Sequence, residues 1–338
     1  MEKILTSLCN SGTVSGNELV DFEIIKQLMP NIEIETDYNN NIIATMGNPN
    51  SEDVILLDAH NDRIGFVVSY IDDNGFIKVA NCGGIDRRVL LGSEVTVMGK
   101  KPLHGIVCCL PPHLSDGGED KAPSADSIYI DVGLNKAEVT EIVSLGDNVI
   151  VSSKPKKLIG SRFTAGSLDN KAGVDTLIKV AHILADKNLD CCVKFLFSSQ
   201  EETGFLGSRT ASFAIKPSCA IVVDVSFAVQ PMVAPEKCGE LSKGPMIGFA
   251  PILDKEMFSD LKSISRKNDI PYQLEIMSST TGTNADAITT TASGVRTALI
   301  SIPLRNMHTQ AEIVDMTDIE NTAKLIALYI MKRGAKDE

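Results

Sequence analysis

The sequence predicts an α/β fold in which a mixed, mostly parallel sheet lies between layers of helices and a small β-rich domain is inserted. Three observations support this fold class. The chain has 338 residues, enough for two domains with separate cores. Short, almost uninterrupted apolar runs, typical of strands buried on both faces, alternate with helical patterns. The segment from residue 67 to 158 instead alternates apolar and polar residues between tight turns.

The apolar runs that predict the sheet lie outside this β-rich segment. They are Val54–Leu57, Val193–Phe197, Ala220–Val223 and Thr297–Ile302. We therefore expect residues 1–66 and 159–338 to form one α/β domain. Residues 67–158 are expected to form the inserted domain.

Helices are predicted where apolar residues recur at helical spacing between start and stop signals. Ser15 and Glu18 form a capping-box pattern, and the helix that they open is expected to end before Pro30. A short helix is expected after Asn135 in the insert. A longer amphipathic helix is expected between Gly166 and Leu189.

The last helix is expected to open with a second capping box, formed by Thr317 and Glu320, and to end at Gly334. The polar stretch from His113 to Ala125 is interpreted as an exposed loop of the insert.

Composition and charge exclude several classes of partner. The formal net charge is −12 and Lys and Arg occur only in short clusters, so neither nucleic acid nor an anionic membrane is an expected partner. The chain shows no apolar run of membrane-spanning length and no signal-peptide core at its start. Eight cysteines include the neighbouring pairs Cys108–Cys109 and Cys191–Cys192 but no C-x-x-C spacing. This pattern favours reduced thiols and a cytoplasmic location.

Side chains that can bind metals follow the predicted strands. They are His60 and Asp62 after the first run, Glu201 and Glu202 after the second, Asp224 after the third and His308 after the fourth. Asp169 joins them from the beginning of the long helix. Since ligands of open α/β sheets gather at the carboxyl ends of strands, we expect these side chains to lie close together.

The residue types suit a pair of divalent metal ions. Two imidazoles and three carboxylates can hold two zinc-like ions about 3.5–4 Å apart, with one carboxylate bridging them. Such a centre also needs a group that carries protons. Because Glu201 and Glu202 are neighbours, one can bind metal while the other acts as general base.

Each of these residues has a simpler explanation when it is taken alone. A single His after a strand is more often a surface or core residue, and Glu201-Glu202 is commonly a solvated acidic pair. Asp169 can simply be an acid at a helix N-terminus. Asp224 is the stronger signal, because a carboxylate at the end of a buried strand needs a partner.

The remaining histidines and motifs point to no second site. His104, His113 and His182 are interpreted as structural or solvent-facing. The sequence contains no P-loop, no G-x-G-x-x-G and no G-x-S-x-G, so nucleotide binding and serine-hydrolase chemistry have no support.

Four ordered segments carry a resemblance to a known family. They read A-H-N-D-R-I-G-F from Ala59, G-S-L-D-N-K-A-G from Gly166, Q-E-E-T-G-F-L-G from Gln200 and R-N-M-H-T from Arg305. These resemble A-H-x-D-E-I-G-F, G-S-L-D-N-R-x-G, Q-E-E-V-G-x-x-G and R-Y-M-H-[ST] of the glutamyl-aminopeptidase family. That family includes the tetrahedral TET aminopeptidases, and some members are labelled endoglucanase. The match extends from the Ser15 helix to the final helix.

The resemblance implies a ligand for each metal. One ion would take His60 and Asp224, the other Glu202 and His308, with Asp169 bridging both. The ions would be zinc first, with cobalt or manganese as alternatives. The implied fold is that of the zinc aminopeptidases, with the insert as a PDZ-like β-barrel domain used for dimerisation.

The resemblance also implies how peptides would be cleaved. Glu201 would be the general base, and Asp62 would orient the His60 imidazole. Hydroxide held between the metals would hydrolyse amino-terminal residues from peptides. The partners would be peptide substrates and further copies of the chain, with dimers assembling into a dodecamer.

The sequence departs from the family pattern at two places beside the expected site. Arg63 replaces the usual Glu, and Asn306 replaces the usual Tyr before His308. Neither is an expected ligand, so the metal assignment stands. Arg63 and Arg296 suggest a preference for acidic side chains, and a loop from Gly282 resembles a glycine-rich family loop.

Two other classes of function remain open on the sequence. The chain can be a metallohydrolase of another amide bond, whereas a glycosidase has no support because the chain has no Trp for sugar stacking. It can also be an inactive or altered family member that serves as an assembly or binding protein, with Arg63 as the suspect change.

Overall fold

A computed structural model describes residues 2–114, 122–123 and 127–334. The helices are α1 Glu2–Cys9, α2 Phe22–Leu28, α3 Lys136–Ile142, α4 Leu168–Leu184, α5 Leu206–Ile215, α6 Lys255–Lys267, α7 Asn284–Thr289 and α8 Met316–Gly334. The strands of the first half are β1 Glu33–Thr36, β2 Ile42–Gly47, β3 Val54–His60, β4 Gly65–Ile71, β5 Ile77–Cys82, β6 Glu94–Met98, β7 Pro102–Val107, β8 Tyr129–Asp131 and β9 Asn148–Val151. Those that follow are β10 Lys156–Lys157, β11 Arg162–Ala165, β12 Cys192–Ser198, β13 Cys219–Phe227, β14 Met246–Phe249, β15 Gln273–Ile276, β16 Arg296–Leu304 and β17 Glu312–Asp315.

The main sheet has eight strands in the order β1-β2-β12-β3-β13-β16-β14-β15. Its centre is parallel, because β12 and β13 flank β3 and β16 pairs in parallel with β13. The strands β2 and β14 pair in antiparallel fashion with this centre, so the sheet is mixed. All four apolar runs become central strands, which confirms the mixed α/β prediction.

Helices cover both faces of this sheet, and successive strand residues therefore enter opposite cores. Ile55 and Leu57 of β3 pack in the larger core with α4 and α8, while Leu56 between them packs in the smaller core with α5 and α7. This alternation follows from the two-residue period of a strand. It explains why the runs are apolar throughout, since neither face meets water.

The strands β4 to β9 form a closed antiparallel barrel in the order β4-β5-β8-β7-β6-β9. Its own core includes Phe66, Val95 and Ile130, all buried. The short helix predicted after Asn135 is α3, and the Asn135 side chain with Glu138 forms its capping box. The β-rich character of the insert is thus observed, while its limits at residues 67 and 158 stay a prediction.

Both predicted capping boxes outside the barrel are wrong. The Ser15 hydroxyl donates to Asp62 Oδ2 at 2.5 Å instead of capping a helix. The chain continues as a short 3-10 helix from Glu18 to Asp21, and α-helix begins only at Phe22. Ser15 is therefore recruited by a buried carboxylate that is distant in sequence.

The final helix begins one residue earlier than its predicted cap. Asp315 Oδ1 accepts from both the Thr317 amide, at 3.0 Å, and the Thr317 hydroxyl, at 2.7 Å. Thr317 is thus a donor within the first turn, and Asp315 accepts from it in the manner of a capping residue.

Several predicted features lie at the surface or partly outside the described residues. His113 and Leu114 are exposed, as the loop interpretation expects, but residues 115–121 and 124–126 are not among those the structure describes.

His182 lies on α4, and its Nε2 is 2.6 Å from the Leu28 carbonyl oxygen, which is a structural role. No helix in the described part of the chain is both long and apolar enough to span a membrane.

A buried lysine connects α4 to the loop after β3. Lys171 is fully buried, and its ammonium donates to Asp21, to the Asn61 carbonyl oxygen at 2.5 Å and to Asn61 Oδ1 at 2.7 Å. The pair therefore fixes the loop that directly follows His60. Removing one partner leaves an unpaired charge in an apolar interior, which is far more costly than losing an exposed ion pair.

Lys171→Met is expected to lower the free energy of unfolding by about 3–5 kcal/mol, because Asp21 stays buried without its cation. The measurement is urea denaturation. Lys136→Met is the matched control, since Lys136 pairs with Asp73 at the surface of the barrel and its loss should leave the midpoint unchanged. Equal midpoints for the two variants would contradict the assigned importance of the buried pair.

Candidate metal centre

The centre forms where the parallel strands end. Ser198, the last residue of β12, pairs with His60, the last residue of β3, and Asp224 of β13 pairs with Ser301 of β16. Parallel strands deliver their carboxyl ends to the same edge of a sheet, so the polar residues that follow each apolar run converge there.

His60, Asp169 and Asp224 form the first group of possible ligands. His60 Nε2 lies 3.1 Å from Asp169 Oδ1 and 3.6 Å from Asp224 Oδ1. All three side chains are buried, and their candidate ligand atoms lie within 4.8 Å of one another.

Asp169, Glu202 and His308 form the second group. His308 Nε2 lies 3.2 Å from Asp169 Oδ2 and 3.6 Å from Glu202 Oε1. The two oxygens of Asp169 thus face one group each, as a bridging carboxylate requires. The structure brings together all five residues predicted as ligands, and this set of imidazoles and carboxylates fits a pair of divalent cations.

The charges of the centre also fit bound cations. Burial raises the pKa of Glu201 to about 9 and that of Glu202 to about 8, with Asp169 adding repulsion at Glu202. Burial opposes protonation of His60, but the nearby carboxylates of Glu201 and Asp169 hold its pKa well above the ordinary value. The side-chain hydrogen bond to Asp169 raises the pKa of His308 to about 10. Cations bound here would displace these protons.

Asp62 holds both His60 and the Glu201–Glu202 segment. Its carboxylate accepts from the amides of Glu201 at 3.0 Å and Glu202 at 3.2 Å, and from the Ser15 hydroxyl. His60 Nδ1 lies 3.1 Å from the Asp62 carbonyl oxygen and 3.4 Å from its Oδ1. Asp62 therefore lies where the orienting role was predicted, and it also positions the backbone of the two glutamates.

Glu312 is a supporting residue that sequence reasoning missed. Its Oε1 accepts from the His308 amide at 2.9 Å and its Oε2 from the Asp169 amide at 3.1 Å. One buried carboxylate thus fixes the backbones of Asp169 and His308. Its place four residues after His308 is the only signal in the sequence, and that spacing alone is weak.

The barrel backbone contacts the centre at His308. His308 Nδ1 lies 2.8 Å from the carbonyl oxygen of Gly84, which follows β5. A Cβ on Gly84 would lie 3.3 Å from that same nitrogen, and Gly83 has a left-handed φ of +82°. The two glycines let the barrel backbone approach the imidazole closely and orient it.

Neither arginine that suggested acidic substrates lies at the centre's cavity. Arg296 begins β16 at the opposite end of the sheet and pairs with Asp254 and Glu256. Arg63 is buried and lines a small separate cavity between the centre and the barrel, together with Ile85. The prediction that Arg296 favours acidic substrates is therefore wrong. Arg63 lies near the carboxylate of Glu312, whose charge acts on it.

The second departure from the family pattern lies at the rim. Asn306 has a left-handed φ of 56°, accessible to Asn at low cost, and its side-chain amide donates to the Ala311 carbonyl oxygen at 3.0 Å. His308 itself has a φ of 62°. The segment that presents His308 is thus held in an unusual backbone conformation by local contacts.

An open cavity of about 410 Å³ leads to the centre. Both groups of possible ligands and Glu201 line it. Gly282 and Thr283 of the glycine-rich loop line its far side, whereas Asn284 is buried and donates to Asp58 and Ser198. The cavity can admit the end of a peptide but is too small for a folded protein.

Comparison with known proteins agrees with this geometry. The family model for M42 glutamyl aminopeptidases matches residues 40–325. The chain belongs to the M42 glutamyl aminopeptidase family. Members of this family use divalent metals, and the chain is accordingly an aminopeptidase, a hydrolase of peptide bonds.

Individual relatives match over nearly their whole length. A lysyl aminopeptidase of Pyrococcus furiosus is 32% identical, covering 96% of this chain and 94% of that protein. The structure of an aminopeptidase from the archaeon Desulfurococcus kamchatkensis has a TM-score of 0.91 at 29% identity, covering 98% of this chain and 94% of that one. The TET1 peptidase of Pyrococcus horikoshii has a TM-score of 0.87 at 29% identity, covering 97% and 98%. That peptidase can assemble into a tetrahedron or a large octahedral shell.

Glu312→Gln is expected to weaken zinc binding by roughly 10–100-fold, because an amide oxygen cannot hold both the Asp169 and His308 amides. The measurement is equilibrium dialysis against zinc. Glu141→Gln, at an exposed position on α3, is the control and should leave zinc binding unchanged. An affinity for Glu312→Gln equal to that of the control would remove Glu312 from the support of the centre.

Proposed function

We propose that this M42 family member removes amino-terminal residues from peptides at a centre of two divalent ions. The observation that carries the proposal is the sharing of Asp169 between two groups of ligands, with Glu201 beside them in one cavity. His60 and Asp224 would complete one metal site, and Glu202 and His308 the other. Zinc is the first choice because mixed imidazole and carboxylate sets suit it, with cobalt or manganese as alternatives.

Bound divalent ions would polarise the scissile carbonyl group and lower the pKa of a water molecule. The protein's own residues supply the rest of the chemistry. Carboxylates concentrated at the end of the cavity would attract the positively charged amino terminus of a peptide. Burial of these groups excludes bulk water, which strengthens that attraction.

Glu201 is the proposed general base. It lines the cavity but belongs to neither group of ligands, and its backbone amide is fixed by Asp62. Its carboxylate would accept a proton from the attacking water and donate it to the leaving amine. Asp62 keeps this backbone and the His60 ring in place, so it acts as a positioning residue.

The barrel is the proposed dimerisation domain, spanning residues 67–158 and resembling a PDZ domain. Support comes from its independent core and its closed, self-sufficient sheet. Because the similar TET1 peptidase forms large shells, we propose dimers that assemble into a dodecamer. A cytoplasmic location is proposed because all eight cysteines are free, with four of them buried and three half-buried.

Glu201→Gln is expected to lower kcat by about 10²–10⁴-fold while metal content stays unchanged, because only the proton carrier is lost. The measurements are hydrolysis of aminoacyl p-nitroanilides and metal content by mass spectrometry. Glu202→Gln is the matched neighbour and should lose metal instead. Full activity of a metal-replete Glu201→Gln protein would end the assigned role.

Asp169→Asn is expected to weaken both metal sites together, whereas His60→Ala should weaken one site first. The reason is that Asp169 contributes to both groups and His60 to one. A zinc titration followed by calorimetry distinguishes one lost binding phase from two. Loss of a single phase in Asp169→Asn would contradict the bridging assignment.

A further inference from the structure

A half-buried carboxylate outside the metal centre lines the same cavity. Glu275 lies on the edge strand β15. The register pairs Asp224 with Ser301, Ser301 with Met246, and Gly248 with Glu275. Paired residues, and residues two apart in one strand, point to the same face of a sheet. Glu275 and Asp224 therefore share one face of the sheet.

Two serine hydroxyls hold the Glu275 carboxylate. Ser226 donates to Oε1 at 2.5 Å and Ser301 donates to Oε2 at 2.6 Å. No salt bridge among the described residues involves Glu275, and burial raises its pKa with a further contribution from the negative charge of Asp224. The carboxylate is thus oriented but has no positive partner within the described part of the chain, an arrangement that is costly unless a ligand supplies the charge.

The cavity around Glu275 fits a long cationic side chain. Among the described residues, those that line the cavity shared with the metal centre include no Lys or Arg, whereas Lys237 lines a second cavity that Glu275 also borders. Apolar residues that line this cavity include Phe205, Leu299 and Met307. Lysine and arginine bury an apolar stem against such surface and place their charge at its end.

The spacing of residues along β13 matches the length of a lysine side chain. Ser226, which contacts Glu275, follows Asp224 by two residues, so their Cα atoms are separated by about 6–7 Å on one face. With the amino terminus of a peptide held near Asp224, the four-carbon stem of a lysine would reach the region of Ser226.

We propose that Glu275 makes this aminopeptidase selective for peptides whose amino-terminal residue is Lys or Arg. The inference rests on the proposed function, because it requires the peptide amino terminus at the metal centre. Glu275 would form a charge-assisted hydrogen bond with the ammonium or guanidinium group, and acidic side chains would be repelled. Ser226 and Ser301 act as positioning residues for this carboxylate.

The test compares Lys-, Arg-, Leu- and Glu-p-nitroanilide with the zinc-loaded protein and its Glu275→Gln variant. We expect wild-type kcat/KM for the lysyl substrate to exceed that for the leucyl substrate at least tenfold. Glu275→Gln, which retains the shape and one acceptor for the serines, should reduce this ratio by about 10–100-fold, as for the loss of a charged hydrogen bond. Glu240→Gln, at an exposed carboxylate outside the cavity, should keep the wild-type ratio.

Binding is measured separately from turnover in a Glu201→Gln background. Calorimetric titration with L-lysinamide and L-leucinamide should show preferred binding of lysinamide, and adding Glu275→Gln should remove that preference. A metal content and melting temperature equal to those of the parent show that the variant is folded.

Hydrolysis of leucyl substrate without a lysyl preference, or a ratio unchanged by Glu275→Gln, would overturn this inference and leave the aminopeptidase proposal intact. Failure of the zinc-loaded wild type to hydrolyse any of the four substrates would overturn the proposed function and this inference with it.

Discussion

The structure depends on the concentration of buried carboxylates at one edge of the sheet. Asp169, Glu201, Glu202 and Asp224 lie close together, and Asp169 faces both histidines of the centre. Like charges in a low-dielectric interior repel strongly, so such a cluster is stable only with protons or cations among them. This repulsion, together with burial, raises the pKa values of Glu201 and Glu202. A pair of divalent ions would meet it with fixed geometry, which protons cannot provide.

The fold meets that demand by supporting the ligands through the backbone. Asp62 accepts from the amides of Glu201 and Glu202, and Glu312 accepts from those of Asp169 and His308. Two carboxylates therefore fix four residues of the centre without being ligands themselves. Because Asp62 and Glu312 bind backbone amides, they fix the position of the main chain from which the predicted ligand side chains extend. Asp62 thereby ties the loop after β3 to the loop after β12, and Glu312 ties the loop after β16 to the beginning of α4.

Sequence reasoning was most successful where the signal is periodic and least successful where partners are distant. The apolar runs became the central strands, and parallel packing placed the five predicted ligands at one edge. The capping boxes at Ser15 and Thr317 failed because distant or preceding carboxylates, Asp62 and Asp315, compete for the same groups. Glu312 left no readable signal, since its partners are backbone amides and its spacing from His308 resembles many others. Pair contacts across 140 residues are a property of the fold and cannot be read from local pattern.

The barrel and the sheet meet at His308, and this contact joins the barrel to the metal centre. The Gly84 carbonyl oxygen orients the Nδ1 side of the ring, leaving Nε2 to face Asp169 and Glu202. The Glu312 carboxylate fixes the backbone of the same residue from the sheet side. The second ligand group is therefore completed only when barrel and sheet are in contact, whereas the first is built from the sheet and α4 alone. A change in the position of the barrel would therefore reach His308 first and leave His60 and Asp224 in place.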